Sequence, residues 1–192
     1  YSYDPDGYNT GDTVDVFYRR STDQGSTWQA EVRLNDDGTT RDQFFPSLSV
    51  GSTNAVSVAW YDRRLDPNNT LLDYYQRLSY DGGATWQASV RISDVSTPVY
   101  LDPNLATCYH GDYDTQLQTT GPNVLVQWWD DRRLYSSHND PDVYLDQVPV
   151  CLLSIVPPVA SAGVGGLNLI QVGWNDSATP EMSEYRVFRS FD

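Results

Sequence analysis

The chain has 192 residues, enough for one ordinary domain or for one domain and part of another. All twelve basic residues are Arg, Asp outnumbers Glu by 23 to 3, and the net charge is −14 with a pI near 4.2. Such a surface is repelled by phosphate, which excludes nucleic acid and anionic membrane as partners. The longest apolar run, 148–160, is broken by prolines and too short to span a bilayer, so no membrane insertion is expected. Good helix formers are scarce, while turn formers and strand-favouring aromatics are abundant, so the expected class is all-β.

In chain order, DPDGYNTGD at 4–12 comes first; its oxygen ligands Asp4, Asp6, Asn9 and Asp12 suit Ca²⁺ but lack EF-hand spacing and a bidentate Glu. The segment 14–36 then aligns without a gap on the later segment 72–94, with 12 of 23 identical. This is an internal repeat. In each copy an apolar strand leads into Ser-x-Asp-x-Gly-x-Thr-Trp, followed by a short second strand at 31–34 or 89–92. The residue types read as a hairpin clip: Ser21 and Ser79 open the turns, Asp23 and Asp81 accept backbone N–H groups, Gly25 and Gly83 permit positive φ, and Trp28 and Trp86 pack over the turn.

A second, longer offset aligns 47–64 with 116–133 and sets AWYDRR against WWDDRR. Its longer strands, 55–61 and 124–129, are apolar at alternate positions of both parities, which predicts cover on both faces. Together the offsets define a four-strand unit at 45–50, 55–61, 72–78 and 90–93, with an insertion around 98–111 accounting for the difference between them. Cys108 and Cys151 are either a disulfide or two buried thiols; spacing does not decide between them. Asn68 and Asn175 open glycosylation sequons.

STDQGSTW at 21–28 and SYDGGATW at 79–86 resemble the Asp-box, or BNR, repeats of sialidases and sialidase-like β-propellers. The flanking VSVAWYDRR and DVFYRRSTDQG resemble the strands around those boxes. The resemblance implies an incomplete propeller of four-stranded antiparallel blades over 1–155, about two and a half of them, with each box on the turn between third and fourth strands. The third blade lacks a box; Asp142-Val143-Tyr144 matches Asp15-Val16-Phe17, and 150–155 would supply its last strand. Tyr3-Asp4 matches Tyr61-Asp62, so the chain reads as starting inside a blade: either it is a fragment of a longer protein, or neighbouring chains supply the missing sheets. The segment 156–166 reads as a linker. LNLIQVGWN and EYRVFRS, within 167–192, resemble two strands of a fibronectin type III domain with Trp174 and Tyr185 as core aromatics; the alternative is a terminal hairpin.

Propeller topology implies that the loops joining second to third strands and those joining blades share one face. That face carries Arg63 and Arg64, Arg132 and Arg133 with the loop to Asp142, and His110, Asp112 and Asp114 in the loop 108–114. Paired arginines either clamp an acidic ligand, as in sialidases, or bind local Asp residues and order their loops. The family's Arg-Ile-Pro segment is missing, and Glu31, the one Glu in the repeat region, belongs to a fourth strand away from that face. The expectation is therefore a non-catalytic, secreted or cell-surface module that binds glycan or an extracellular protein. The alternatives are a piece of a glycoside hydrolase whose catalytic residues lie elsewhere, and a self-assembling subunit with blades completed between chains.

Overall fold

The computed structural model describes residues 1–7, 14–51, 54–99, 115–118, 123–135, 138–149, 163–165 and 169–171. Among them all regular structure is strand, every pairing is antiparallel, and no sheet closes on itself. The chain divides into two compact units, Tyr1–Leu152 and Leu153–Asp192.

Three sheets build the first unit. β1 (Ser2–Tyr3), β2 (Asp15–Tyr18) and β3 (Val32–Arg33) form the first in sequential order. The second runs β4 (Gln43–Val50), β5 (Val56–Asp62), β6 (Leu71–Ser79), β7 (Val90–Arg91), and β8 (Thr97–Pro98) also pairs with β6. The third consists of β9 (Thr115–Gln118), β10 (Asn123–Tyr135) and β11 (His138–Pro149), with β10 central. The four-strand unit expected from the repeats is thus the second sheet. Its short fourth strand covers Val90–Arg91; the next two N–H groups, of Ile92 and Ser93, share the Tyr74 carbonyl, and Ser93 and Ser96 turn their hydroxyls to Asp73.

The central strand of the second sheet is buried on both faces, as apolar residues at both parities of β5 require. Val58 and Trp60 join Val16, Leu34 and Tyr75 in one core, whereas Ala59 and Tyr61 join Tyr74, Val126 and Trp128 in the other. Each core lies between neighbouring sheets. A buried polar link also crosses the second pair: Ser57 Oγ donates to Gln116 Oε1 at 2.6 Å and accepts from Gln76 Nε2 at 2.7 Å.

Strand pairing corrects the sequence alignment of the second and third sheets. Val50 faces Val56 in one and Gln118 faces Val124 in the other, so their first two strands repeat one position closer together than the alignment of 47–64 with 116–133 had them. The third strands keep the longer spacing, since Asp62 pairs with Asp73 and Asp130 with Asp142. Trp60, Asp62 and Arg64 therefore correspond to Trp128, Asp130 and Arg132, and the aligned Arg-Arg pairs do not correspond. A slip by a single position along a strand turns every side chain to the opposite face, so only the shorter spacing keeps Trp, Asp and Arg together. Likewise Tyr3 pairs with Asp15 and is the counterpart of Asp62, not of Tyr61.

The loop expected between Arg133 and Asp142 is instead hairpin. β10 continues to Tyr135 and β11 begins at His138, with a register shift between Asp130 and Arg133. Continued pairing satisfies main-chain groups that propeller topology had placed in a loop. In the second unit β12 (Gly163–Gly165) pairs with β13 (Leu169–Gln171), so part of the expected linker forms a strand: glycines weaken a ladder without removing its donors and acceptors. The expected strand 150–155, Trp174 and Tyr185 lie outside the described residues.

The two Ser-x-Asp-x-Gly-x-Thr-Trp turns share one hydrogen-bond set. Gly25 and Gly83 N–H each donate to the turn serine, Ser21 or Ser79, at 2.8 Å. Thr27 N–H donates to Asp23 at 2.9 Å, and Thr85 N–H to Asp81 at 2.8 Å. The threonine hydroxyls repeat this on the second carboxylate oxygen, at 2.5 and 2.7 Å. Their surroundings differ, however. Trp86 meets Tyr18 edge-on at 5.0 Å, while Trp28 is 57% exposed, which corrects the expectation that both tryptophans are packed. Gly25 and Gly83 have φ of +88° and +82°, but only at Gly83 would an added Cβ collide, lying 2.0 Å from the Tyr18 hydroxyl. Gly25→Ala is expected to cost about 1–2 kcal/mol, the left-handed backbone penalty. Gly83→Ala should cost more because Tyr18 must also move; equal losses in urea denaturation would contradict that contact.

Candidate functional site

The repeated unit at the loop end of the sheets is a Trp-x-Asp-x-Arg node. In the second sheet Trp60 Nε1 donates to Asp62 Oδ2 at 2.8 Å, and Arg64 gives the same carboxylate its main-chain N–H at 2.8 Å, Nε at 2.9 Å and Nη2 at 2.7 Å. Its guanidinium lies 4.2 Å from the Tyr75 ring centroid, and Nη1 donates to Asp36 at 3.1 Å and to Ser89 at 2.9 Å. The third sheet repeats this. Trp128 Nε1 donates to Asp130 at 3.1 Å, and Arg132 donates Nη2 to Asp130 at 2.6 Å, covers Tyr144 at 4.0 Å and bonds Asp94.

Asp36 and Asp94 occupy matching positions of the repeated segments 14–36 and 72–94, just after β3 and β7. Each node therefore ties its own sheet to the segment leaving the preceding sheet. A second repeated pair sits alongside: Arg33 Nε donates to Asp15 at 2.7 Å, and Arg91 Nε to Asp73 at 2.8 Å. Asn35 and Ser93, also matched in the repeat, accept the N–H of Val16 and Tyr74 and bond the same two aspartates. These groups were not among the expected site residues, although their identities were visible in the alignment of 14–36 with 72–94.

The four arginines singled out from sequence have separate positions. Arg63 donates to Asp42 at 2.9 Å and lies over Phe44, while Asn69 brackets Asp42 from the other side at 2.8 Å. Arg64 and Arg132 have side chains only 13% and 17% exposed, against 70% for Arg133, which pairs with Asp142 at 3.0 Å. The loop after Arg64 is closed by Asp66, whose carboxylate accepts three main-chain N–H groups, from Asn68, Thr70 and Leu71. Those bonds hold its pKa well below the usual range. Glu31 accepts the hydroxyls of Tyr1 and Tyr3 on the first sheet, and the bond to Glu31 pushes the Tyr1 phenol up to about 12.

His110, Asp112, Asp114, Asn9, Asp12 and both cysteines lie outside the described residues. Asp4 accepts the N–H of Gly7 at 2.9 Å and of Asp6 at 3.3 Å, closing a local turn. Among the described residues no group of three or more His, Cys, Asp or Glu side chains is arranged to hold a metal ion.

Chemically, the loop end is a set of carboxylates already neutralised by internal arginines. Burial raises the Asp36 pKa, but bonds from Ser89 and Arg64 outweigh it and bring the value down to about 2; bonds from Thr27 and Ser21 bring Asp23 to about 2 as well. A depressed folded-state pKa contributes stability that is present above the unfolded value, about 3.9, and is lost as pH falls through the folded one. The melting temperature is therefore expected to fall as pH drops from about 4 to about 2, and Asp36→Asn should flatten that slope. An unchanged slope in Asp36→Asn would show that Asp36 does not contribute.

Compared with known proteins, the chain matches no protein-family model, no curated protein and no solved structure.

Proposed function

We propose that the chain is a non-catalytic, sialidase-like β-propeller module of a secreted or cell-surface protein, with Asp boxes at 21–28 and 79–86, that binds glycan or protein through its loop end. The observation that carries the non-catalytic part is the engagement of Arg64 and Arg132. Both direct their guanidinium groups at Asp62 and Asp36, or at Asp130 and Asp94, with little exposure. A carboxylate clamp needs guanidinium edges facing the ligand; these face the protein. The propeller part is supported by face-to-face sheets of repeated register and by the common hydrogen-bond set of the two turns.

In this reading the arginines set loop shape, and recognition falls to exposed groups such as Asn68 and Arg133. The chain is tested on a glycan array and a panel of cell-surface proteins, alongside a fluorogenic sialoside. Saturable retention on either panel with no sialoside turnover is expected. Turnover above buffer would remove the non-catalytic assignment, and absence of retention on both panels would remove the binding one. Arg64→Ala should lower melting temperature with affinity reduced no more than unfolding explains.

A further inference from the structure

One residue of β4 holds a backbone that its side chain disfavours. Phe45 has φ of +50° inside a strand, whereas the other described non-glycine residues with positive φ, Gln24, Asn54 and Asn69, stand in turns and loops. Such a backbone suits glycine and is an outlier for a bulky side chain. The strand register shows its origin. Phe44 pairs with Tyr61 and Ser47 with Ala59, so two residues of β4 oppose one of β5 in a bulge. Pro46, the second of the two, brings no N–H that the bulge would leave unpaired.

The bulge turns the ring outward. Phe45 is 52% exposed and meets Phe44 edge-on at 5.2 Å. Phe44 is itself held, stacked on Tyr61 at 5.9 Å with the Arg63 guanidinium 5.2 Å from its centroid. Exposure alone carries little, since Leu48 and Val50 of the same strand are exposed as well; the strained backbone sets Phe45 apart. Phe45 stands at the loop end, where Gln43 pairs with Asp62. It is mid-chain, in the sheet that shares one core with the first sheet and the other with the third, so its exposure is not that of an outermost sheet.

We infer that, given a loop end that binds ligand as proposed above, Phe45 is the stacking platform of a site for a neutral sugar. An exposed aromatic face offers its π surface to the C–H face of a pyranose, whose hydroxyls stay toward water and polar neighbours. Polar groups adjoin it: Asn69 donates to Asp42, just before β4, at 2.8 Å, and so ties the loop carrying exposed Asn68 to the base of the strand. Charge selects neutral over acidic sugars. Arg63, Arg64 and Arg132 each donate to an aspartate, and the chain carries a net charge of −14, so an acidic sugar meets repulsion where these arginines are already engaged.

Saturation-transfer NMR of the full chain tests this, with lactose, maltotriose and chitotriose as neutral probes and sialyllactose as the acidic one. A neutral probe is expected to bind, and sialyllactose to bind no tighter than lactose. Phe45→Ala and Phe45→Gly should each weaken the neutral probe by about tenfold, whereas Phe45→Trp keeps the platform and should retain it. Phe45→Gly should also melt above Phe45→Ala, because glycine accepts the positive φ; affinity lost in the better-folded variant then belongs to the ring. Unchanged affinity in Phe45→Gly, preference for sialyllactose over lactose, or a Phe45→Gly that melts no higher than Phe45→Ala would each overturn the inference and leave the binding reading standing. Retention of proteins alone, with no neutral probe bound, would do the same, and retention of nothing would remove both.

Discussion

Asp62→Ala is expected to destabilise the first unit by about 3–5 kcal/mol, the scale for removing one partner of a buried ion pair. Asp62 is fully buried and accepts from Trp60, from the Arg64 main chain and from two guanidinium nitrogens. Its loss leaves a guanidinium with a side chain 13% exposed, held chiefly by Asp36, with Asp37 at 3.9 Å. The double variant Asp62→Ala/Arg64→Ala should be less destabilised than the sum of the singles, since the second change removes the stranded charge. Urea denaturation at constant m value reads both. A loss under about 1 kcal/mol, the range of a surface ion pair, would mean that Asp36 and Asp37 suffice to hold Arg64.

Trp60→Ala is expected to cost about 3–5 kcal/mol, as truncation of a buried aromatic leaves a cavity that the core refills only in part. Trp60 is 0% exposed, sits in the core with Val16, Leu34 and Tyr75, and spends its indole N–H on Asp62. Trp28→Ala should stay within about 0.5 kcal/mol, as surface changes do. Trp86→Ala should fall between them, because Trp86 is half-buried and meets Tyr18 along one edge. Any other order of the three would mean that the sheets are not stacked as described.

Chemistry confined to a few neighbouring residues was legible in the sequence. The serine, aspartate, glycine and threonine of each turn meet within four positions of one another, so residue type and spacing settle their bonds before any packing. Apolar residues at both parities of 55–61 likewise announced a strand covered on both sides, and β5 is buried along its whole length. The arginines were less legible. AWYDRR and WWDDRR align equally attractively on Arg-Arg, yet pairing of the strands selects Trp-x-Asp-x-Arg, because only that register keeps the three side chains on one face.

By itself the sequence determined an all-β chain, the repeated hairpins, the turn chemistry and the acidic surface, all of which follow from local residue preference and charge. Only the tertiary structure decided that Arg64 meets Asp36 and Arg132 meets Asp94, that Trp60 is buried while Trp28 is exposed, and that Arg133 alone of the four arginines is mostly exposed. Those outcomes depend on which sheet lies against which and at what register. Trp28 and Trp86 stand in near-identical sequence, and they differ because the first sheet covers Trp86 with Tyr18 and Trp28 has no described sheet over it.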